Sequence, residues 1–310
     1  GNRSLTGVPG YGENSYYPMP YVTIFVFFAL LPRQLSMFLW FLLPIVSVLI
    51  IQRGKPWALL FAPVISHFLG GQTALPALLG VWGYREKSNT DNFWGGVCLA
   101  LTALKPQLAI FPVVWAVVQW FRHIKNRRRI PPQFWGFLVT ISIIYIPSFL
   151  FQPDWMEQWL AAPRPLFERA LAGLIPRTLL YLLPGSTGYY WVFLVLISIC
   201  AGCYIGWRTG WKIDFDLYMT ASFLINPFAH DYDLIQLIPL LKRWEIQKSA
   251  LWISIPAFLV IVSAYQVDHA WFAFTLIPFV LVWAMVKFPQ TQQSAPPSRH
   301  SYADAASARQ

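Results

Sequence analysis

Residues 34–52 read QLSMFLWFLLPIVSVLIIQ, and this stretch contains no charged residue between Arg33 and Arg53. An α-helix needs about 20 predominantly apolar residues to cross the hydrocarbon core of a bilayer. The stretch therefore predicts a membrane-spanning helix. Further apolar runs, separated by polar breaks, recur along nearly the whole chain. We expect spans at residues 34–52, 56–69, 72–84, 93–104, 107–121, 134–152, 187–206, 214–228, 233–241, 249–266 and 270–287.

The composition of the chain also indicates a membrane protein. The 310 residues have a mean hydropathy of +0.48, only 12% of them are charged, and 16 are tryptophan. A soluble domain has about 25% charged residues. A transmembrane β-barrel would show short alternating segments instead of these long apolar runs. We predict an all-α, polytopic transmembrane bundle with roughly 10 to 11 membrane helices, several of them shorter than the usual spanning length, and with amphipathic helices on the outer side.

The distribution of basic residues predicts how the bundle is oriented. The run 20–31 has about twelve residues, which suits an interfacial or re-entrant helix better than a spanning one. If that run does not span, 17 of the 23 Lys and Arg residues fall on one side of the membrane. The positive-inside rule makes that side cytoplasmic. We therefore expect an outer loop and juxtamembrane helix at 1–33, a transmembrane domain at 34–287 and a disordered cytoplasmic tail at 288–310.

Charge and cysteine content restrict the classes of partner and cofactor. The net charge is +10, but the basic residues lie between apolar segments and not on one soluble face. We expect membrane lipids as partners and no nucleic acid. Cys98, Cys200 and Cys203 all lie in apolar runs, which argues against a disulfide framework or a zinc site. The sequence has no phosphate-binding Gly-rich loop, no pair of histidines at helical metal-ligand spacing and no nucleophile elbow.

Lys105 is a candidate functional residue because it stands alone between apolar runs in LTALKPQLAIFPVVW, residues 101–115. Pro106 places the lysine at a helix boundary, and the charge pattern places it on the outer side of the membrane. Its ammonium group could extend to the lipid headgroups, as lysines near membrane surfaces do. Alternatively, the ammonium could hold the phosphate of a lipid-linked substrate. The residues alone leave both interpretations open.

A second candidate cluster lies in INPFAHDYDLIQLIP, residues 225–239. Ionisable groups at membrane depth cost several kcal/mol unless they are paired or hydrated, so they mark pathways or sites. One interpretation is a solvated outer loop, in which these residues have no special role. The other is that His230 acts as a general acid or base and is oriented by Asp231 or Asp233. Tyr232 lies between the two carboxylates and is expected to line the same cavity.

Two other outer segments carry polar groups. In HFLGGQTALP, residues 67–76, two glycines permit a tight turn, and Gln72 offers an amide to a cavity. A simple turn between two helices would have the same sequence. The segment 153–186 is amphipathic and could cap a cavity. Its Arg164, Arg169 and Arg177 could each contact a phosphate or a lipid headgroup.

Four motifs occur in a fixed order along the chain. They are YYPMP at 16–20, GGQTALPALLGVWGY at 70–84, FWGGVCLALTALKPQLAIFPVVWAVVQW at 93–120 and LINPFAHDYDLIQLIPLL at 224–241. In this order and spacing the chain resembles glycosyltransferase family 87, whose members are integral membrane enzymes of the GT-C class and include polyprenol-phosphate-mannose-dependent mannosyltransferases. The resemblance extends over about residues 16–245.

The resemblance implies a hexosyltransferase, with mannose as the best-known sugar. The enzyme would transfer the sugar from a polyprenyl-phosphate donor to a lipid or glycan acceptor, on the extracytoplasmic side of a bacterial plasma membrane. It implies no bound metal or other cofactor. The resemblance implies that Lys105 and Arg177 bind the donor phosphate. It implies that His230, Asp231 and Asp233 assist proton transfer. The cavity would be lined by Gln72, Tyr17 and Tyr232.

The sequence departs from the family pattern at the principal catalytic base. In this class the base is usually an Asp in the first outer loop, but Glu13 is the only acidic residue before Glu86, which the charge pattern places on the cytoplasmic side. We expect that the catalytic Asp precedes the first residue of this sequence. The alternatives are that Glu13 replaces it or that the chain is inactive as given.

A membrane transporter or lipid flippase is the main alternative, because such proteins also have Pro- and Gly-broken helices and polar residues inside the membrane. A transporter site lies near the midplane and usually between two related halves. This sequence shows no clear internal repeat, and its polar clusters gather on one side. Both features favour an enzyme that works at one membrane surface.

Overall fold

The computed structural model describes residues 18–69, 74–160, 173–182, 190–263 and 271–289. Every regular element in these ranges is a helix, so the predicted all-α class is confirmed. Two elements are 3-10 helices, Pro56–Leu60 and Asp231–Leu240. The α-helices are α1 Met19–Ile24, α2 Val26–Ala29, α3 Arg33–Ile51, α4 Ala62–Leu69, α5 Leu75–Glu86, α6 Phe93–Thr102, α7 Pro106–Arg127, α8 Pro132–Phe151, α9 Trp155–Leu160, α10 Leu174–Leu182, α11 Tyr190–Thr209, α12 Phe215–Ser222, α13 Trp244–Ser263 and α14 Trp271–Lys287.

The helices coincide with the predicted apolar runs, but several are shorter than those runs. In the described ranges three helices are long and apolar enough to cross a membrane: Arg33–Ile51, Pro132–Phe151 and Trp191–Thr209. The run 214–228 is helical only as far as Ser222, and the chain turns before Pro227. Proline has no amide donor and disfavours helical geometry in the residue before it, so the helix cannot continue through this point. The run 20–31 divides at Phe25 into two helices, each far too short to cross a membrane.

The three long helices expose large apolar side chains. Ile143 and Leu150 on α8 are 67% and 77% exposed, and Trp207 on α11 is 75% exposed. Water would disfavour apolar surface of this extent, whereas lipid tails accommodate it. The exposed surfaces therefore agree with an integral membrane protein.

Helices α6 and α8 pack in backbone contact because glycines line their interface. A Cβ atom added at Gly96 would lie 1.8 Å from the Gln133 carbonyl oxygen, and one added at Gly136 would lie 2.0 Å from the Phe93 carbonyl oxygen. Only glycine permits so close an approach. The crossing fixes α6, and α6 ends at Thr102 immediately before the turn that carries Lys105.

The core lies around the second 3-10 helix, Asp231–Leu240, whose ten residues exceed the usual three or four of this helix type. Its Leu234, Ile235, Leu237 and Ile238 are fully buried and belong to the main hydrophobic cluster, with α4 and α5 packed against the helix. The Gln52 amide donates a hydrogen bond of 2.5 Å to the Ile238 carbonyl oxygen. Tertiary packing therefore holds a helix whose own hydrogen bonds are comparatively weak.

Ion pairs join the ends of several helices at what we term the Arg85 end of the molecule. The Arg85 guanidinium binds the Asp216 carboxylate through two nitrogens, with an Nε–Oδ1 distance of 2.6 Å. Lys242 lies 2.5 Å from Glu86 at the same helix end. Helix α6 starts soon after α5 ends and leads away from these residues, so Lys105 lies at the opposite end, termed the Lys105 end.

Candidate active site

Lys105 occupies the turn between α6 and α7 and is the N-cap residue of α7. Pro106 is the first residue of that helix, a position where the missing proline amide costs nothing. The lysine is only 1% exposed, so its ammonium group is inside the protein. A buried charge requires a partner, because its desolvation otherwise costs several kcal/mol.

Asp233 is that partner. Lys105 Nζ lies 2.5 Å from Asp233 Oδ1, and the Asp233 side chain is completely buried. The other carboxylate oxygen, Oδ2, accepts a hydrogen bond of 3.0 Å from the backbone amide of His230. The sequence interpretation gave Asp233 an orienting role toward His230. In the structure its two oxygens bind the Lys105 ammonium and the His230 main chain.

Two aromatic rings cover this ion pair. Lys105 Nζ lies 4.7 Å from the centre of the Tyr232 ring, which is the geometry of a cation–π contact. The His230 ring stacks on the same tyrosine, with ring centres 5.1 Å apart and planes inclined by 11°. His230 and Tyr232 are both only partly buried, whereas Lys105 and Asp233 beneath them are buried. The four side chains therefore form a layered cluster with the histidine near the surface.

Asp231 lies on the opposite flank of the cluster, against α4. Its Oδ2 accepts a hydrogen bond from the Ser66 hydroxyl, while its buried Oδ1 has no hydrogen-bond partner in the described ranges. Asp231 is outside the three candidate spans. Burial raises the pKa of its carboxyl to about 6, and the Ser66 hydrogen bond opposes this rise. The carboxyl can therefore change its charge near neutral pH.

Main-chain contacts hold the loop before His230 in place. The Asn226 side-chain amide donates a hydrogen bond of 2.9 Å to the Gln107 main-chain carbonyl oxygen in the first turn of α7. The Leu174 amide, at the start of α10, donates one of 2.7 Å to the Ala229 carbonyl oxygen. The loop is thus fastened to α7 on one side and to α10 on the other, although these elements are far apart in sequence.

Ser66 and His67 are site residues that sequence reasoning missed. Both lie within the predicted span 56–69, where they looked like isolated polar residues in an apolar helix. His67 is 2% exposed, and neither of its ring nitrogens has a hydrogen-bond partner in the part of the chain that the structure describes. The available signal was a pair of adjacent polar residues, Ser66 and His67, two residues before the sequence Gly70-Gly71-Gln72.

Some of the predicted residues lie outside the described residues. Tyr17, Gln72 and the Glu13 alternative belong to this group, as do Arg164 and Arg169. The helix α10 carries Arg177 and begins at the Leu174 contact with the loop, but the Arg177 side chain is not described. The roles predicted for these residues stay predictions.

An apolar groove of about 230 Å³ opens beside the turn that carries Lys105. Its walls come from the α1–α2 segment, α3, α5 and α6, and all ten lining residues are apolar. Leu104, immediately before Lys105, and Leu101 one helical turn earlier are on its α6 side. Leu104, which lines the apolar groove, and Lys105, the buried cation, are thus neighbours in the sequence.

The described ranges contain no group of three His, Cys, Asp or Glu side chains that could hold a metal ion. The ionic cluster pairs one lysine with one carboxylate, Asp233, and a second carboxylate on the same 3-10 helix, Asp231, binds a serine hydroxyl. Such an arrangement can hold an anionic group at the lysine and can move a proton at a carboxyl or an imidazole.

The fold and the buried ionic cluster define a polytopic helical membrane protein with a polar site at one end of its helices. A comparison with protein families identifies its kind: the family model for glycosyltransferase family 87 matches residues 16–229. Because the match covers more than half of the chain, the protein belongs to glycosyltransferase family 87 and is a membrane glycosyltransferase. No curated protein and no solved structure matches the chain significantly.

Family membership has two consequences for the sequence predictions. It supports a glycosyltransferase over a transporter or flippase. The matched region contains Ser66, His67 and Lys105 but ends at Ala229, one residue before His230. The resemblance had been drawn to about residue 245. A function for His230 and Asp233 therefore rests on their contacts with Lys105 and Tyr232, not on the family match.

Proposed function

We propose that the protein transfers a hexosyl unit, with mannose as the first sugar to test, from a polyprenyl-phosphate donor to a hydroxyl of a lipid or glycan. The observation that carries the proposal is that Lys105 has a buried ammonium group and directly follows Leu104, a residue that lines an apolar groove. A polyprenyl-phosphate sugar has the matching form, an apolar chain joined to an anionic phosphate.

Lys105 would bind the donor phosphate. An ammonium group has three N–H donors, so Lys105 can retain its contact with Asp233 and also donate to a phosphate oxygen. Because the cluster excludes most water, this interaction is stronger than it would be at an exposed surface. It would also strengthen as negative charge develops on the departing phosphate, which is the condition for catalysis.

The groove would hold the first part of the polyprenyl chain. Its lining is apolar throughout, and Leu104 brings it to within one residue of the phosphate-binding lysine. A nucleotide sugar has no apolar chain to occupy such a groove. The groove therefore supports a lipid-linked donor as the substrate class.

His230, with Asp231 nearby, would assist proton transfer. The His230 ring is only partly buried, and imidazoles are common general acids and bases near neutral pH. Asp233 would position this ring indirectly, because it binds the His230 amide and the Lys105 ammonium together. Tyr17, Gln72 and Arg177 remain proposed for the cavity and the phosphate.

The proposed location is a bacterial plasma membrane, with the Lys105 end facing away from the cytoplasm. Arg85, Arg127, Arg129 and Lys242 gather at the Arg85 end or in loops on the same side by sequence. This gathering supports a cytoplasmic Arg85 end under the positive-inside rule. The proposed division into 1–33, 34–287 and 288–310 goes with this orientation.

The test is a transfer assay with purified protein in lipid nanodiscs. Labelled polyprenyl-phosphate mannose and polyprenyl-phosphate glucose are supplied with membrane lipid extracts as acceptors. We expect transfer from at least one donor and a loss of about 100-fold or more in the variant Lys105→Met/Asp233→Asn, since one lost donor to a developing charge costs that much. The control variant Lys242→Met/Glu86→Gln removes an exposed pair at the other end and should retain activity. Transfer from a nucleotide sugar, but not from either lipid-linked donor, would overturn the proposed donor class.

A further inference from the structure

His67 is the buried ionisable group at the Lys105 end that the proposed mechanism leaves without a function. It lies on α4, next to Ser66, whose hydroxyl binds Asp231. Both nitrogens of its ring are buried, and in the described ranges neither has a hydrogen-bond partner. Buried polar groups are almost always paired, so an imidazole with two unpartnered nitrogens indicates a ligand or a changing proton state.

The charged groups that face His67 are Asp233 and Lys105, which lie close enough for their charges to affect its protonation, and Asp231, which bonds the neighbouring Ser66. Asp233 and Lys105 form an ion pair with no net charge. The other elements packed against α4 are the 3-10 helix Pro56–Leu60 and α13. The first has no ionisable residue, and α13 has none from Ala250 onward. In the absence of substrate a buried imidazole in this position is uncharged, because burial penalises the charged form.

A phosphate bound to Lys105 changes this balance. Asp233 already neutralises the lysine, so the phosphodiester of a lipid-linked sugar adds one uncompensated negative charge to a buried site. A protonated imidazole supplies a compensating positive charge and two N–H donors. His67 is the group near both members of the pair that can supply this charge by taking a proton from water.

We infer that His67 is a second phosphate-binding residue of this site, and that it takes up one proton from water when the donor phosphate binds. The inference rests on the proposed function, since it takes the lipid-linked phosphate as the ligand. It adds His67 to the residues that bind the phosphate, and it adds the uptake of one proton to the binding step. Donor binding is then linked to pH and strengthens as the pH falls.

The probe for this inference is a short-chain prenyl methyl phosphate. It is a phosphodiester with a single negative charge, and it has no group of its own that titrates near neutral pH. Isothermal titration calorimetry in two buffers of different ionisation enthalpy measures its affinity and the number of protons taken up. We expect the wild-type protein to take up close to one proton, and therefore to bind about 100-fold more weakly at pH 8 than at pH 6, since one proton changes the affinity tenfold per pH unit.

The variant His67→Gln should bind with little proton uptake and little dependence on pH. His123 provides the matched control, because it is a buried histidine that bonds Thr90 on the Arg85 side. His123→Gln should behave as the wild type. The double variant His123→Gln/His230→Gln keeps His67 unchanged, so it tests His67 even if His67→Gln fails to fold. That double variant should still take up the proton.

The outcomes separate the inference from the function on which it rests. If the wild-type protein binds the probe without proton uptake, or if His67→Gln retains the wild-type uptake, the inference about His67 is overturned and the phosphate site stands. If uptake disappears in the double variant, His230 is the group that takes the proton, which also overturns the inference. If the wild-type protein binds neither this probe nor the lipid-linked sugars, the proposed donor class itself is wrong.

Discussion

The substitution Lys105→Met tests whether the buried ion pair has the energetic character that its geometry indicates. The pair has a separation of 2.5 Å, and both side chains are almost completely buried. Methionine removes the cation and leaves the Asp233 carboxylate buried without its partner. Breaking a buried pair from one side costs about 3–5 kcal/mol. For a protein of this size that cost lowers the melting temperature by roughly 10 °C.

The double variant Lys105→Met/Asp233→Asn should recover most of this loss, because it leaves no uncompensated charge in the site. Thermal unfolding in detergent, followed by the fluorescence of the many tryptophans, measures both variants. The matched control is Lys242→Met, which breaks the Lys242–Glu86 pair, whose side chains are 45% and 40% exposed. An exposed pair contributes about 0–1 kcal/mol, so this control should melt close to the wild type.

Two results would refute the reasoning about the pair. If Lys105→Met melts no lower than Lys242→Met, the lysine is not a buried counterion of Asp233. If the double variant is stable and also transfers sugar at the wild-type rate, the ammonium is not needed for the donor phosphate. A stable but inactive double variant is the expected result, since it separates the structural contribution of the charge from its catalytic one.

The remaining predictions concern the helix crossing, the carboxyl and the groove. Gly96→Ala should lower the melting temperature, because the added Cβ would overlap the α8 main chain. The control Gly202→Ala, on an open helix surface, should be neutral or stabilising by up to about 1 kcal/mol. Equal melting temperatures of the two variants would contradict the close packing of α6 on α8. The rate of transfer should fall below about pH 6, where Asp231 becomes protonated. Ser66→Ala should move the midpoint of this pH profile upward, because it removes the hydrogen bond that lowers the Asp231 pKa. An unchanged midpoint in Ser66→Ala would contradict a role for Asp231. Leu104→Trp should fill the groove and raise the KM for long-chain donors more than for short-chain donors; equal changes in both would place the chain elsewhere.

The helical fold could be predicted because its signal is local. Each apolar run such as 34–52 carries its own length and hydropathy, and each corresponds to a helix in the structure. The ends of the helices were less predictable. The run 214–228 continues past Ser222 with the apolar residues Phe223, Leu224 and Ile225, but α12 ends at Ser222 and the chain turns before Pro227. Local backbone restrictions decided that boundary, and hydropathy does not report them.

The ionic cluster could be predicted only in part. Charge bias placed Lys105 and the 226–233 stretch on one side of the membrane, and the structure brings them together at one end of the helices. Sequence could not pair Lys105 with Asp233, because 128 residues separate them and two carboxylates were available. Ser66 and His67 were missed for a related reason. Their importance comes from the packing of α4 on the 3-10 helix, which has no local signature.

The charged residues at the two ends of the molecule require different explanations. At the Arg85 end, the Lys242–Glu86 pair is partly exposed, so topology and headgroup contacts suffice to explain Lys242, while the largely buried Arg85–Asp216 pair joins two helices. At the Lys105 end the charges of Lys105 and Asp233 are buried. A well-packed apolar pair in place of a buried ion pair is often neutral or stabilising by about 1–4 kcal/mol, so stability alone does not account for Lys105 and Asp233. The His67 imidazole, whose two nitrogens have no hydrogen-bond partner among the residues that the structure describes, adds a further cost. Both costs have a common explanation if this end binds an anion during transfer. The lysine and the imidazole then compensate a negative charge that is present only when the substrate is bound.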